Sequence, residues 1–237
     1  MKNSKLTSSL LLVAAALILP ACQESDPTPT PIQPRAEKMT YSFGTSQSYR
    51  VLEYDANGNL SSIISGLTDP EYGPQEYSHT LVYQANRLVS LVSEYESVVS
   101  FNYVYGSDGL LSETNAYYGN DLNEVYKFEY DDKGRVASKV TWNRNAESGS
   151  LQMVSKSEYE YDSHNNLIEE RRFLHDGGAF FLTATFVYLD FDTKKSSEHL
   201  FMTNLQHPFV QFFQNNPQTL KLTNGNGTSA EQKFTYE

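Results

Sequence analysis

Three pairs of glutamates stand close together in this chain: Glu94 with Glu96, Glu158 with Glu160, and Glu169 with Glu170. Two carboxyl groups ~5–9.5 Å apart can flank and hydrolyse a glycosidic bond. In the first two pairs the members are two residues apart, which places both on one face of a strand. If aromatic residues hold the other face, these glutamates face water and their role is solubility. The histidines, at positions 79, 164, 175, 199 and 207, form no H-E-x-x-H, and Cys22 is the only cysteine. No metal or cofactor is therefore expected. Asp55-Ala56-Asn57-Gly58-Asn59 has the look of a calcium loop, but its glycine comes too early and its twelfth position is Gly66 rather than Glu. Neither a G-x-S-x-G elbow nor a phosphate-cradling glycine loop occurs, so no catalytic residue is assigned. Tyr72, Tyr117, Tyr118 and Trp142 fall outside the regular aromatic pattern. Flat rings with a polar tip suit a sugar or protein partner, and cross-strand packing is their plainer role.

Cys22 carries different chemistry. Lys2 and Lys5 precede an apolar run from Leu10 to Leu19, then Pro20, Ala21 and Cys22. This is the pattern of an export signal, about ten apolar residues long where a membrane span needs roughly 20. The Leu-x-Ala-Cys ending resembles the bacterial lipobox, which implies cleavage between Ala21 and Cys22 and acylation of Cys22. The implied organisation is a signal at 1–21, a tether at 22–37 and one domain at 38–237. The tether carries Pro27, Pro29, Pro31 and Pro34; at ~3.1 Å per residue it holds the domain up to ~40 Å from the bilayer. Glu24 and Asp26 resemble the acidic export signal of surface lipoproteins in Bacteroidota. The implied location is the outer membrane of a Gram-negative bacterium, with the lipid on Cys22 as the membrane partner. Loss of Lys2 and Lys5 leaves 16 basic against 29 acidic residues, a formal −13. With no basic cluster, nucleic acid is not a partner.

These residues must be positioned by strands. The chain contains 17 Tyr and 13 Phe, and long helical periodicities are missing. One unit recurs, most clearly at Tyr54-Asp55-Ala56-Asn57-Gly58-Asn59-Leu60, Tyr130-Asp131-Asp132-Lys133-Gly134-Arg135-Val136 and Tyr161-Asp162-Ser163-His164-Asn165-Asn166-Leu167. Weaker copies carry Tyr83, Tyr105 and Tyr188, giving spacings of 29, 22, 25, 31 and 27 residues. Asp opens a turn, Gly or Asn three residues later supplies positive φ, and Leu or Val starts the next strand, in a type I turn with a bulge. Each copy is one hairpin. The expected fold is all-β, an antiparallel meander of long hairpins, curled or barrel-like, in sequential order. Pro208 can open a short helix with Leu205, Phe209, Phe212 and Phe213 on one face, so Leu200 to Asn216 is the expected cap.

The units resemble the YD repeats of Rhs-type proteins, strict at Tyr54 and eroded at Tyr83 and Tyr105. Together with the lipobox, the chain resembles a Bacteroidota lipoprotein family of unknown function with a porin-like β fold. That resemblance implies no activity. The resulting expectation is a non-enzymatic binding or structural module of the envelope, with a glycan or an envelope protein as partner. The alternatives are a glycan hydrolase using paired carboxylates and an envelope-assembly factor binding a protein. A membrane barrel is disfavoured, because Glu53, Lys127, Glu129 and Glu160 charge the face opposite the tyrosines.

Overall fold

The computed structural model describes residues 37–43, 46–69, 73–95, 98–196 and 204–235. The signal and nearly all of the tether, with Ala21 and Cys22, lie outside them, as do Tyr72 and Glu96. The described strands are β1 (Lys38–Phe43), β2 (Ser46–Tyr54), β3 (Leu60–Asp69), β4 (Gly73–Gln84), β5 (Arg87–Ser93), β6 (Ser100–Tyr105) and β7 (Leu111–Tyr118). They continue as β8 (Asp121–Tyr130), β9 (Val136–Arg144), β10 (Leu151–Tyr161), β11 (Leu167–Asp176), β12 (Ala179–Lys195), β13 (Asn215–Asn224) and β14 (Ser229–Lys233). All fourteen form one antiparallel sheet in chain order, with β1 and β14 as its two edges, so the sheet is not closed.

The turns follow from the Tyr-Asp unit. Asp131 Oδ1 accepts from the amides of Lys133 and Arg135, both at 2.9 Å. The Gly134 amide donates to the Asp131 carbonyl at 3.0 Å, with Gly134 at φ 75°. Asp55 and Asp162 repeat this arrangement. The position of Gly134 is held by Asn165 in the third copy, at φ 66°, because Asn tolerates the left-handed region. Nothing stands within 4 Å of a Cβ built on Gly134, so substitution there tests backbone conformation alone. Gly134→Ala is expected to cost about 1 kcal/mol and Gly134→Asn much less, read from urea midpoints.

Each of these three Tyr-Asp turns also carries a bulge, with the register shifting at Glu53/Tyr54, Glu129/Tyr130 and Glu160/Tyr161, and the eroded copy shifts likewise at Val104/Tyr105. A bulge inserts one residue and reverses which face each later side chain occupies. Val136 thus pairs with Tyr130 on the aromatic face, while Val140 and Trp142 pair with Lys127 and Val125 on the other. The hairpin at Tyr83 departs from the expected turn, since Ala85 and Asn86 (φ 48° and 61°) join β4 to β5 as a two-residue link.

Adjacent hairpins are stitched by their tyrosines. The hydroxyls of Tyr105, Tyr130 and Tyr161 donate to the carbonyls of Leu88, Leu111 and Val136 at 2.8, 2.8 and 3.0 Å. Each acceptor is a buried residue at the start of the second strand of the preceding hairpin, first in β7 and β9 and second in β5. Arg87 and Arg135 lie over the rings of Tyr105 and Tyr161. Burial pushes the Tyr83 hydroxyl up to about 12, and those of Tyr103, Tyr130, Tyr159 and Tyr161 upward as well, so all remain donors. The core behind this ladder includes Leu52, Ile63, Leu81, Leu91, Phe101 and Phe128.

The aromatic face is capped, but not by the expected helix. The described part of the expected cap is an irregular strap over residues 204–214. The Leu205 and Gln206 carbonyls accept from the hydroxyls of Tyr103 and Thr114 at 2.9 and 2.7 Å. His207 meets Phe128 and Tyr130, Phe212 meets Tyr159, and Phe213 sits between Tyr188 and Phe191. The strap therefore crosses the sheet from β6 to β12, with the Leu205 and Gln206 carbonyls taken by side chains of the sheet and the Phe212 carbonyl by the Leu167 amide, where a helix would use its own amides. Phe209, at φ 60°, turns outward and is exposed, which breaks the proposed helical face.

Candidate binding recesses on the two faces of the sheet

The structure separates the glutamate pairs by role. Glu158, Glu160 and Glu169 lie on the face opposite the aromatics, gathered around Arg171 at 3.3, 2.8 and 3.5 Å, and Lys156 pairs with Glu158 at 2.8 Å. Exposed Glu53 and Glu129 share that face, and Lys127 pairs with Glu113 there. Glu170 points the other way and is buried, 7% exposed, held by Arg172 through Nε at 2.7 Å and Nη2 at 3.0 Å. Adjacent residues on a strand face opposite sides, so Glu169 and Glu170 are not a pair. The Asp55 carboxylate is occupied by turn amides; its hydrogen bond from the Asn59 amide leads in holding it below the usual carboxylate range.

A first recess, of about 450 Å³, lies on the water-facing side between the β5–β6 connection and the β7–β8 turn. Tyr117 lines it, together with Tyr95, Glu94, Ser93, Asn102 and Asn120. The loop is shaped locally: the Ser93 hydroxyl accepts from the Tyr95 amide at 3.1 Å, and the Val98 amide donates to the Tyr95 carbonyl at 2.9 Å. Tyr95 is 51% exposed, an open ring at the rim. Sequence reading passed over Tyr95, because it sits in a connection where no repeat pattern marks it.

The other expected platforms are placed differently. Tyr118 is exposed at the tip of the β7–β8 hairpin. Trp142 is half-buried, opposite Val125 and Met153, with the Lys127 ammonium 5.8 Å from its ring. Its indole nitrogen is buried without a hydrogen-bond partner among the described residues. Trp142 is therefore not brought to this recess.

A second recess, of about 350 Å³, opens on the aromatic face where β9, β10 and β11 bring Lys139, Thr141, Ser155, Ser157, Glu170 and Arg172 together. Lys139 Nζ donates to Gln206 Oε1 of the strap at 3.2 Å. Burial draws the Lys139 ammonium below its ordinary range, and Glu170 partly restores it. Glu124, which accepts from the Tyr126 hydroxyl, is pushed up by burial against the pull of Lys139. The Arg172 guanidinium lies 4.1 Å from the Phe186 ring centroid. Two other buried groups are settled internally. His79 Nε2 faces the Val99 carbonyl at 2.9 Å, so it donates and Nδ1 is bare. His207 Nε2 faces Tyr130 Oη at 2.7 Å, and that hydroxyl's own proton goes to Leu111.

No family model matches the chain, and no curated protein does. Among solved structures it is similar to a porin-like protein from Bacteroides uniformis, at 12% identity and a TM-score of 0.53, covering 84% of this chain and 81% of that one. A protein of unknown function from Bacteroides fragilis matches at 12% identity and a TM-score of 0.33, over 65% of this chain and 87% of that one. A DUF3836 family protein from Parabacteroides distasonis gives 13% and 0.29, over 46% and 89%. At such identities the likeness is one of fold, and the first match carries it: this chain shares the β fold of a porin-like Bacteroides protein.

Proposed function

We propose that this chain is an outer-membrane lipoprotein, tethered through acylated Cys22, that binds a glycan-type ligand without turning it over. The observation that carries this reading is the first recess. Tyr117 and Tyr95 offer rings for the apolar face of a sugar, and Asn102, Asn120, Ser93 and Glu94 offer donors and acceptors for its hydroxyls. The charged network around Arg171 and the Glu113–Lys127 pair make the outer face a water-facing surface rather than a lipid-facing one. The resemblance to YD repeats and to Bacteroidota lipoproteins supports an envelope setting. Hydrolysis would need two carboxylates converging on one bond. Among the described residues Glu94 lines the first recess and Glu170 the second, one in each.

A thermal-shift titration with neutral glycans tests this reading. A ligand at a hundred times its dissociation constant adds ~2.7 kcal/mol, a rise of roughly 5–10 °C for a domain this size. Tyr117→Ala is expected to abolish the rise while leaving the unliganded midpoint nearly unchanged. Flat curves across the panel would shift the reading to a protein partner, and released product would restore the hydrolase.

A further inference from the structure

From β3 to β8 the aromatic face is mostly apolar and tyrosine, with Ile63, Leu81, Leu91, Phe101 and Phe128 buried there, and its buried His79 and Thr114 are hydrogen-bonded to carbonyls. Across β9 to β11 the same face turns polar. Cross-strand pairing puts Lys139 opposite Phe128 and Ser157, and Ser157 opposite Arg172. Placing ions and hydroxyls on a core-facing surface costs free energy unless they are satisfied, so such a lapse in patterning marks a site.

The partners within the cluster leave specific atoms free. Glu170 holds Arg172 through Nε and Nη2, which fixes the guanidinium and leaves Nη1 without a partner among the described residues. Lys139 has one acceptor, the neutral Gln206 amide oxygen, and no carboxylate within 4 Å among the described residues. Lys156 at the margin is paired with Glu158 on the other face. With the Lys156 charge spent on Glu158, the lining carries the cations Lys139 and Arg172 against the single lining carboxylate of Glu170, a locally positive recess on a chain of net negative charge.

We propose that this second recess is a binding site for a carboxylate-bearing saccharide, a uronic acid unit. The carboxylate is met by the Lys139 ammonium and the free Arg172 Nη1, and the sugar hydroxyls by Thr141, Ser155, Ser157 and the Glu170 carboxylate. A planar carboxylate suits the fixed guanidinium edge, as a charge-assisted hydrogen bond. The volume, near the small end of the ~300–1,000 Å³ range of ligand sites, fits one or two sugar rings. The site is independent of the first recess, which lies on the opposite face.

Calorimetric titration of the whole protein with an oligogalacturonate, its neutral galactose counterpart and inorganic phosphate is the test. The uronate is expected to bind at least tenfold more tightly than the neutral sugar, with affinity falling as salt rises. Lys139→Met keeps the buried stem and removes the ammonium; it should weaken uronate binding more than tenfold without lowering the melting midpoint. Tyr117→Ala should leave uronate binding unchanged, which separates this site from the neutral-glycan site. Uronate binding that survives Lys139→Met, or no heat with any probe, overturns the proposal. Phosphate binding as tight as the uronate would make the recess a simple anion site and overturn the saccharide assignment.

Discussion

Asn166→Ala is expected to lower the unfolding free energy by about 3–4 kcal/mol. Asn166 is 2% exposed, and its Oδ1 accepts from the amides of Gln214 and Asn215 at 2.9 and 2.8 Å. Its Nδ2 faces Asp162 Oδ2 at 3.2 Å and Asn215 Oδ1 at 3.4 Å. One side chain thereby joins the third Tyr-Asp turn to the point where the strap becomes β13. Alanine leaves two backbone donors in a protected site without an acceptor, and each such orphan costs ~1–3 kcal/mol. The neighbouring Leu167 amide, which donates to the Phe212 carbonyl at 2.7 Å, holds the same junction. Urea unfolding gives the total. Hydrogen exchange gives the location: the amides of Gln214 and Asn215 should lose protection before those of β7 and β8. A loss below about 1 kcal/mol would mean that the strap is anchored elsewhere.

The strap should also make stability depend on pH. Burial draws His207 down from 6.5 to about 4. With Nε2 donating to Tyr130, protonation would place a second proton on Nδ1, which is buried with no acceptor among the described residues. Above about pH 6.5 the ring is neutral whether the chain is folded or not, and the stability it contributes is fully present. As pH falls from 6.5 toward 4, the unfolded chain takes up a proton that the folded chain refuses, so stability falls. A shift of this size corresponds to at most about 3 kcal/mol. His79, also drawn down by burial, adds to the loss. Glu124 opposes it, because burial raises its folded value and the folded state gains from protonation as pH falls. Comparing urea midpoints at pH 7 and pH 4.5 for the native protein and His207→Gln isolates the contribution of His207. Glutamine can still donate to Tyr130 but cannot titrate, so its curve should be flatter. Parallel curves would remove His207 as the cause.

The hairpins were legible because each is closed within about five residues. The Asp131 carboxylate caps Lys133 and Arg135, and Gly134 supplies the positive φ; all of these contacts are local. Where local chemistry differs, reading fails in a traceable way. At Tyr188 the expected turn is missing: Asp190, at φ 56°, accepts from Thr219 across the sheet instead, and β12 runs on to Lys195. A period of two cannot be carried through a turn, because the bulge at Glu129/Tyr130 puts Val136 on the aromatic face and Val140 and Trp142 on the other. The Pro208 segment follows the same logic. Its apolar spacing suits a helix, but the hydroxyls of Tyr103 and Thr114 capture its carbonyls.

By itself the sequence determined an all-β meander in sequential order, the turns at Tyr54, Tyr130 and Tyr161 and a tyrosine-rich inner face, since the Tyr-Asp unit closes each of those three hairpins from within. Tertiary structure alone decided which side chains share a recess. Lys139, Ser157, Glu170 and Arg172 are far apart in sequence and meet only through the registers of β9, β10 and β11. Tyr95 and Tyr117 likewise meet across β5, β6 and β7. The open sheet and the non-helical strap belong to the same class. They depend on how many bulged strands stack side by side and on which distant hydroxyls reach a carbonyl, quantities that no single repeat contains.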